Sequence, residues 1–236
     1  MTEEEYLALD RAAEYRSEYY DGQMFGMSGG TRAHSKIGGN IFAELREALR
    51  GKACGPANND LRLRIPKSRS YVYPDAMVLC GPESESAGKD DIVDSPHLIV
   101  EVLSPSTEKF DRGTKFELYK TLDSCREYML ISQDEPHVEL FSRQPGGWFL
   151  YEARGLEASI RIDSLGIGIP LAGIYENGRR RTACPFTPVN KSSIVLRSTG
   201  CGRSGASSII GSSAKRRSCI RACGIHRRLL SITRWA

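Results

Sequence analysis

The sequence predicts a mixed α/β domain over residues 1–176, followed by a chemically distinct basic tail over 177–236. Three observations carry this expectation. Helical and strand periodicities alternate as far as Glu176, with Gly, Pro and Asp turn signals between them, and no such pattern follows. The apolar run at 98–103 reads as a strand covered on both faces. Charge divides at the same place: all 29 Asp and Glu precede Gly178, whereas 13 of the 33 Lys and Arg follow it. The net +4 therefore averages a domain at −9 and a tail at +13, and it is no argument for DNA binding by the folded part.

The elements follow in order. Residues 3–16 support one or two helical turns, and 20–27 fit a strand, although Asp21-Gly22 also signals a turn. Gly29, Gly30 and Thr31 open a helix whose Ile37, Ile41, Leu45, Ala48 and Leu49 share one face, with Gly51 as its stop. Leu61, Leu63 and Ile65 alternate with Arg62 and Arg64, as in a half-exposed strand. A turn at 67–70 and a strand at 71–80 complete a hairpin, and 81–95 is a polar loop. A strand at 97–103 precedes a helix at 111–122, which carries Phe116, Tyr119 and Leu122 on one face. Short strands at 127–132, 137–142 and 148–152 follow, and 167–175 closes the domain.

Cys54, Cys80 and Cys125 are isolated and read as reduced thiols in or near the core. Cys219, Cys223 and His226 have loosely metal-like spacing without a full ligand set. There is no apolar run of membrane-spanning length and no basic-then-apolar opening, so the expectation is a cytoplasmic protein. The tail holds ten Ser and four Cys without hydrophobic period, and its composition predicts disorder. It reads either as a basic arm for nucleic acid or as translation in a shifted frame.

Two acids stand out. Glu101 interrupts Leu98-Ile99-Val100-Glu101-Val102-Leu103, where a carboxylate costs several kcal/mol unless a cation or donors satisfy it. Asp75 follows Pro74 inside another apolar run. Two such acids on adjacent strands could converge on a hard cation, Mg²⁺ or Mn²⁺; each alone could equally be an ion-paired or turn acid. Lys115 stands four residues after Asp111, so a surface ion pair competes with a phosphate-facing role. Arg62 and Arg64 share a strand face and could bind phosphates, or could simply be solvated.

Taken in order, several segments resemble one known family. They are Tyr-Pro-Asp at 73–75, Val-Glu-Val-Leu-Ser-Pro-Ser-Thr at 100–107 and Asp-Arg-Gly-Thr-Lys-Phe-Glu-Leu-Tyr at 111–119. Shorter matches fall at 17–22, 32–37, 126–128 and 171–176. Together they resemble the Uma2 family of bacterial restriction endonucleases, within the PD-(D/E)XK superfamily, over essentially all of 1–176. The resemblance implies a restriction-endonuclease-like core, a mixed β-sheet flanked by helices. It implies Asp75 and Glu101 as metal-binding carboxylates, joined by the Val102 carbonyl. The superfamily's usual lysine position is Leu103 here, so the resemblance moves that role to Lys115, with Lys109 as the fallback. Glu18 looks like an accessory glutamate, and His34 matches a recurring histidine with possible DNA contact. The implied activity is divalent-metal-dependent hydrolysis of DNA phosphodiesters, without organic cofactor or membrane, and by analogy a homodimer would supply the two sites that cutting both strands uses. The alternative is a degenerate nuclease fold that binds or regulates.

Overall fold

The structure is a computed structural model, and it describes residues 1–27, 29–81 and 91–176. All of these fall within the first of two units, Met1–Phe186. The expectations for the tail, and for most of the 81–95 loop, lie outside the described residues.

Helix α1 (Glu3–Ala12) starts at a capping box in which Thr2 and Glu5 satisfy each other's backbone donors. Next comes not one strand but two, β1 (Ser17–Tyr20) and β2 (Gln23–Gly26), paired as a tight hairpin. Asp21 and Gly22 both take left-handed backbone (φ 37° and 91°), the geometry that two-residue hairpin turns demand. The dipeptide at 21–22 was thus the stronger signal, and the reading of 20–27 as a single strand is corrected. Helix α2 (Arg32–Ala48) is capped by the Thr31 side chain and buries Ile37, Ile41 and Leu45, as the periodicity predicts.

The run at 71–80 also divides. Pro74 cannot donate to a ladder. The chain leaves one sheet as β5 (Ser70–Val72), passes through Tyr73-Pro74-Asp75, and enters another as β6 (Ala76–Cys80). Strand β5 pairs with β4 (Arg62–Ile65), the predicted hairpin, and with β1. The resulting five-stranded sheet has the order β2-β1-β5-β4-β7, with β7 at Ile92–Val93.

The larger sheet adds β3 (Cys54–Asn58), β8 (Pro96–Leu103), β9 (Glu127–Ser132), β10 (His137–Gln144) and β11 (Gly147–Arg154). Its order is β11-β10-β9-β8-β6-β3. It is mixed: β8 and β9 run parallel and the other neighbours antiparallel. Strand β8 is central, and its apolar run is buried on both faces. Val100, Val102 and Leu98 pack under Ile37, Ile41 and Leu45 of α2. Ile99 and Leu103 pack under Phe116, Tyr119 and Leu122 on the other side. The second helical layer comprises α3 (Glu108–Phe110), a π-helical turn (Asp111–Lys115) and α4 (Phe116–Lys120). A hairpin of β12 (Ser159–Ile162) and β13 (Ile167–Pro170), then α5 (Leu171–Ile174), extends the α2 side. No helix among the described residues is long and apolar enough to cross a membrane.

One expectation fails outright. Cys54 and Cys80 are not reduced thiols but form a disulfide, while Cys125 is free and buried. The antiparallel register of β3 and β6 sets Cys54 directly opposite Cys80, across 26 residues of sequence. Isolated positions in a sequence carry no hint of that register. Strand β3 itself, Cys-Gly-Pro-Ala-Asn, has no apolar alternation to announce it.

Candidate active site

The two acids are brought to the same end of neighbouring strands. Ala76, the first residue of β6, pairs with Val100 of β8, so Asp75, one residue before β6, and Glu101, one residue after Val100, lie just beyond that pair. Both acids line one cleft of about 850 Å³, together with Glu18, Val102, Asp111 and Lys115.

Each side chain is held by specific partners. The Val102 amide donates to Asp75 Oδ2 at 2.7 Å, which fixes that carboxylate beside the β8 backbone. Glu101 is 4% exposed, and its Oε1 accepts from Lys115 Nζ (3.0 Å) and from the Tyr119 hydroxyl (2.7 Å). Glu18, on β1 of the other sheet, accepts from the Tyr20 hydroxyl (2.6 Å) and the Tyr73 amide (3.3 Å). Its Oε1 lies 3.2 Å from Lys115 Nζ. Asp111 Oδ1 is 3.6 Å from the same ammonium. The expectation of a surface Asp111–Lys115 pair is corrected, since both residues are buried. The wide π-helical turn, a form found often at functional sites, seats both over the sheet.

The balance of charge is uneven. Three carboxylates, Glu18, Glu101 and Asp111, share the Lys115 ammonium, a fourth, Asp75, lines the same cleft, and Lys115 is the one Lys or Arg among the described residues of the cleft. Burial pushes the Glu101 carboxyl up to about 8; Asp75, Asp111 and Glu18 add to the shift and Lys115 opposes it. Burial likewise raises Asp111, again against Lys115. For Lys115, burial acts to lower the pKa, but Glu101 and Glu18 outweigh it and hold the ammonium well above 10.5.

These shifts have a consequence for stability. Glu101 has an ordinary pKa of 4.5, so between 4.5 and about 8 the folded state binds a proton that the unfolded state does not. A raised carboxyl pKa therefore makes stability fall as pH rises through that window. In chelator, urea unfolding at pH 5, 6, 7 and 8 is expected to show this decline. Glu101→Gln is expected to flatten it in part, since Asp111 contributes with the same sign. Parallel profiles for the two proteins would rule out a strained Glu101.

His34 sits in the first turn of α2, where Thr31 Oγ1 caps its amide at 3.1 Å. Its Nε2 is 3.3 Å from Asp75 Oδ2, and the Val102 backbone beside the ring also favours its charged form. The adjacent Asp75 carboxylate holds the imidazole above 6.5, against the effect of burial. The fallback Lys109 is exposed and absent from the cleft walls.

Arg62 and Arg64 are not where a phosphate could use them. Arg62 is 7% exposed and donates to Asp10 Oδ2 from Nε (2.9 Å) and Nη2 (2.8 Å), and to Asp91. Asp10 also accepts from the Tyr73 hydroxyl (2.6 Å) and the Ser17 amide (2.8 Å). Arg64 pairs with Glu3 at 3.2 Å. Helix α1 covers this face of the five-stranded sheet, so the phosphate reading of Arg62 is corrected, while part-exposed Arg64 is engaged by Glu3 and does not line the cleft. Removing one partner of a buried pair typically costs about 3–5 kcal/mol, and Arg62→Ala is expected to lose that much in urea unfolding. Arg64→Ala, at a part-exposed pair, should lose no more than about 1 kcal/mol.

A second group with metal-ligand chemistry lies elsewhere. His137, Glu139 and Glu152, on β10 and β11, bring three ligand atoms within 4.8 Å of one another. Their carboxylates are already engaged by Arg112 (2.6 Å to Glu139) and Arg154 (3.1 Å to Glu152). The cleft set is drawn less tightly, because Lys115 and Tyr119 hold Glu101, but its hard oxygen donors and unbalanced negative charge suit a divalent cation better.

A mixed sheet between helical layers, with two opposed acids and a lysine at one cleft, defines a restriction-endonuclease-like fold. Comparison with known proteins agrees. The Uma2 family profile, described as "Putative restriction endonuclease", matches residues 3–172, and the chain belongs to that family. Two uncharacterized Synechocystis proteins are similar to it. Protein slr1290 is 34% identical over 173 residues, 73% of this chain and 88% of its own. Protein sll1609 is 32% identical over 168 residues, 71% and 95% of the respective chains. Among solved structures, a protein from Anabaena variabilis described as a putative nuclease belonging to DUF820 superposes with a TM-score of 0.60 at 18% identity. The match covers 74% of this chain and 97% of that one, and it supports the fold.

Proposed function

We propose that this domain is an endonuclease hydrolysing DNA phosphodiester bonds with a divalent cation, Mg²⁺ or Mn²⁺, held by Asp75, Glu101 and the Val102 carbonyl. The observation that carries the reading is the convergence of Asp75, one residue before β6, and Glu101 of β8 on one cleft that Lys115 also lines. Bound there, the cation would lower the pKa of a ligated water and offset charge growing on the phosphate oxygens. The protein's own groups do the rest. The Val102 amide keeps Asp75 turned toward the cleft. Lys115 orients the attacking water and neutralises the phosphate, as fixed charge placed ahead of the reaction. Glu18, 3.2 Å from that ammonium, accepts the water's proton.

A domain at −9 offers no broad basic groove, so DNA engagement depends on the cation and on local contacts. Action on DNA implies a cytoplasmic location, and cutting both strands implies a homodimer with two clefts. The test is plasmid cleavage in Mg²⁺ or Mn²⁺ by the wild type, Asp75→Ala and Glu101→Ala. Metal-dependent cleavage by the wild type alone is expected. Cleavage that survives both substitutions would reject the site, and a wild type that binds the plasmid without cutting it would favour a binding protein on a nuclease fold.

A further inference from the structure

The geometry points to His34 as a nitrogen ligand of the same cation, making this a mixed imidazole–carboxylate centre with a preference for Mn²⁺ over Mg²⁺. This inference rests on the proposed cation chemistry at Asp75 and Glu101, and adds a residue and a selectivity that the reading above does not contain.

Three observations carry it. First, His34 Nε2 lies 3.3 Å from Asp75 Oδ2, a carboxylate assigned to the cation, and Val102 lines the same cleft. Two ligands at right angles about an ion, each ~2.1 Å away, stand about 3.0 Å apart. The observed separation is therefore close to that of neighbouring ligands around one ion. Second, the ring is placed by the fold rather than left on a mobile arm. His34 lies in the first turn of α2, anchored through Thr31, whose hydroxyl caps the His34 amide and donates to Gln133 Oε1 at 2.8 Å. Third, the neighbouring backbone makes room for the ring: a Cβ added at Gly30 would come within 3.1 Å of His34 Nδ1. His34 lines the cleft with the acids, which a histidine serving only as a helix cap would not need to do.

The chemistry is consistent. To ligate, His34 gives up its Nε2 proton to solvent and presents the freed lone pair. Asp75 and the Val102 carbonyl keep their acceptor roles. A nitrogen donor favours a transition metal over Mg²⁺, which prefers an all-oxygen shell and keeps its waters.

The experiment uses the full chain loaded with one equivalent of Mn²⁺, with pulsed electron paramagnetic resonance reading nitrogen coupling directly and calorimetry reading affinity. The expected result is imidazole ¹⁴N modulation in the wild type and in His137→Gln, lost in His34→Gln and in Asp75→Asn. Mn²⁺ affinity should fall at least about tenfold in His34→Gln, and the wild type's advantage for Mn²⁺ over Mg²⁺ should narrow. Mn²⁺ bound in an Asp75-dependent way without nitrogen modulation would overturn the His34 assignment and leave the proposed function standing. Modulation removed by His137→Gln but not by His34→Gln would overturn it in favour of the β10–β11 group. Failure of the wild type to bind Mn²⁺ would overturn both readings. Because the wild-type spectrum alone can refute the proposal, misfolding of a variant cannot shelter it.

Discussion

Glu101→Gln is expected to abolish metal-dependent cleavage, by about a thousandfold or more, while leaving the metal-free domain no less stable than the wild type. The two halves have one cause. Glu101 is 4% exposed in a cleft with three other carboxylates, and it shares Lys115 with two of them, Glu18 and Asp111. Burial raises its carboxyl pKa to about 8 and the neighbouring acids add to the rise, so without a cation an ionised Glu101 is a cost. Glutamine keeps an oxygen for the Tyr119 hydroxyl and the Lys115 ammonium but removes the negative charge. The fold loses a repulsion and the site loses a ligand. Groups that stabilise transition-state charge are each worth about a hundred- to a thousandfold, and a variant that also weakens cation binding should lose at least the upper figure. Initial rates of plasmid nicking and urea unfolding in chelator test the pair of effects. A variant that still cuts at a tenth of the wild-type rate would remove Glu101 from the chemistry, and one that unfolds more readily would make it a structural residue.

Lys115→Met should behave in the opposite sense. It leaves Glu18, Glu101 and Asp111 facing one another with no cation between them, and orphaning a buried charge costs about 3–5 kcal/mol. The metal-free variant is expected to lose that much stability. A hundredfold excess of Mn²⁺ over its dissociation constant stabilises a folded protein by about 2.7 kcal/mol. The variant should recover at least that much on loading, since the ion then carries the neutralising role alone. Thermal unfolding with and without Mn²⁺ reads both numbers. If the variant is as stable as the wild type without metal, the carboxylates are not as crowded as they stand here. If Mn²⁺ raises neither protein's midpoint, the cleft does not hold the ion.

How far these features could be read from the sequence depended on whether a signal was local. Glu101 was conspicuous because a carboxylate in a six-residue apolar run violates a local expectation, and Asp75 for the same reason. The helix at 32–48 announced itself through a repeated apolar face. What stayed hidden depended on register and on layers brought together from far along the chain. Arg62 and Arg64 alternate with apolar residues just as a solvated strand face does. Only the arrival of α1 from 52 positions upstream, bringing Asp10, turns Arg62 into a buried ion pair. The same holds for the Cys54–Cys80 bond and for the break at Pro74, which looked like one strand because both of its halves are buried. Tyr119 and Asp111 were read as an apolar-face residue and a surface acid. Their roles beside Glu101 appear only once the π-helical turn aims both at the strand below.

Glu101 sits on the six-stranded sheet and Glu18 on the five-stranded one, and Asp75 ends the three-residue crossing, Tyr73-Pro74-Asp75, that joins the two. The centre thus straddles a seam, and its internal distances report how the two sheets are tilted. Loosening the packed tyrosines Tyr6, Tyr19 and Tyr71, none of which lines the cleft, would let one jaw of this caliper drift and spoil the spacing between Glu18 and Glu101. Fidelity of alignment, more than the identity of the acids, is then what the N-terminal helix contributes to the enzyme.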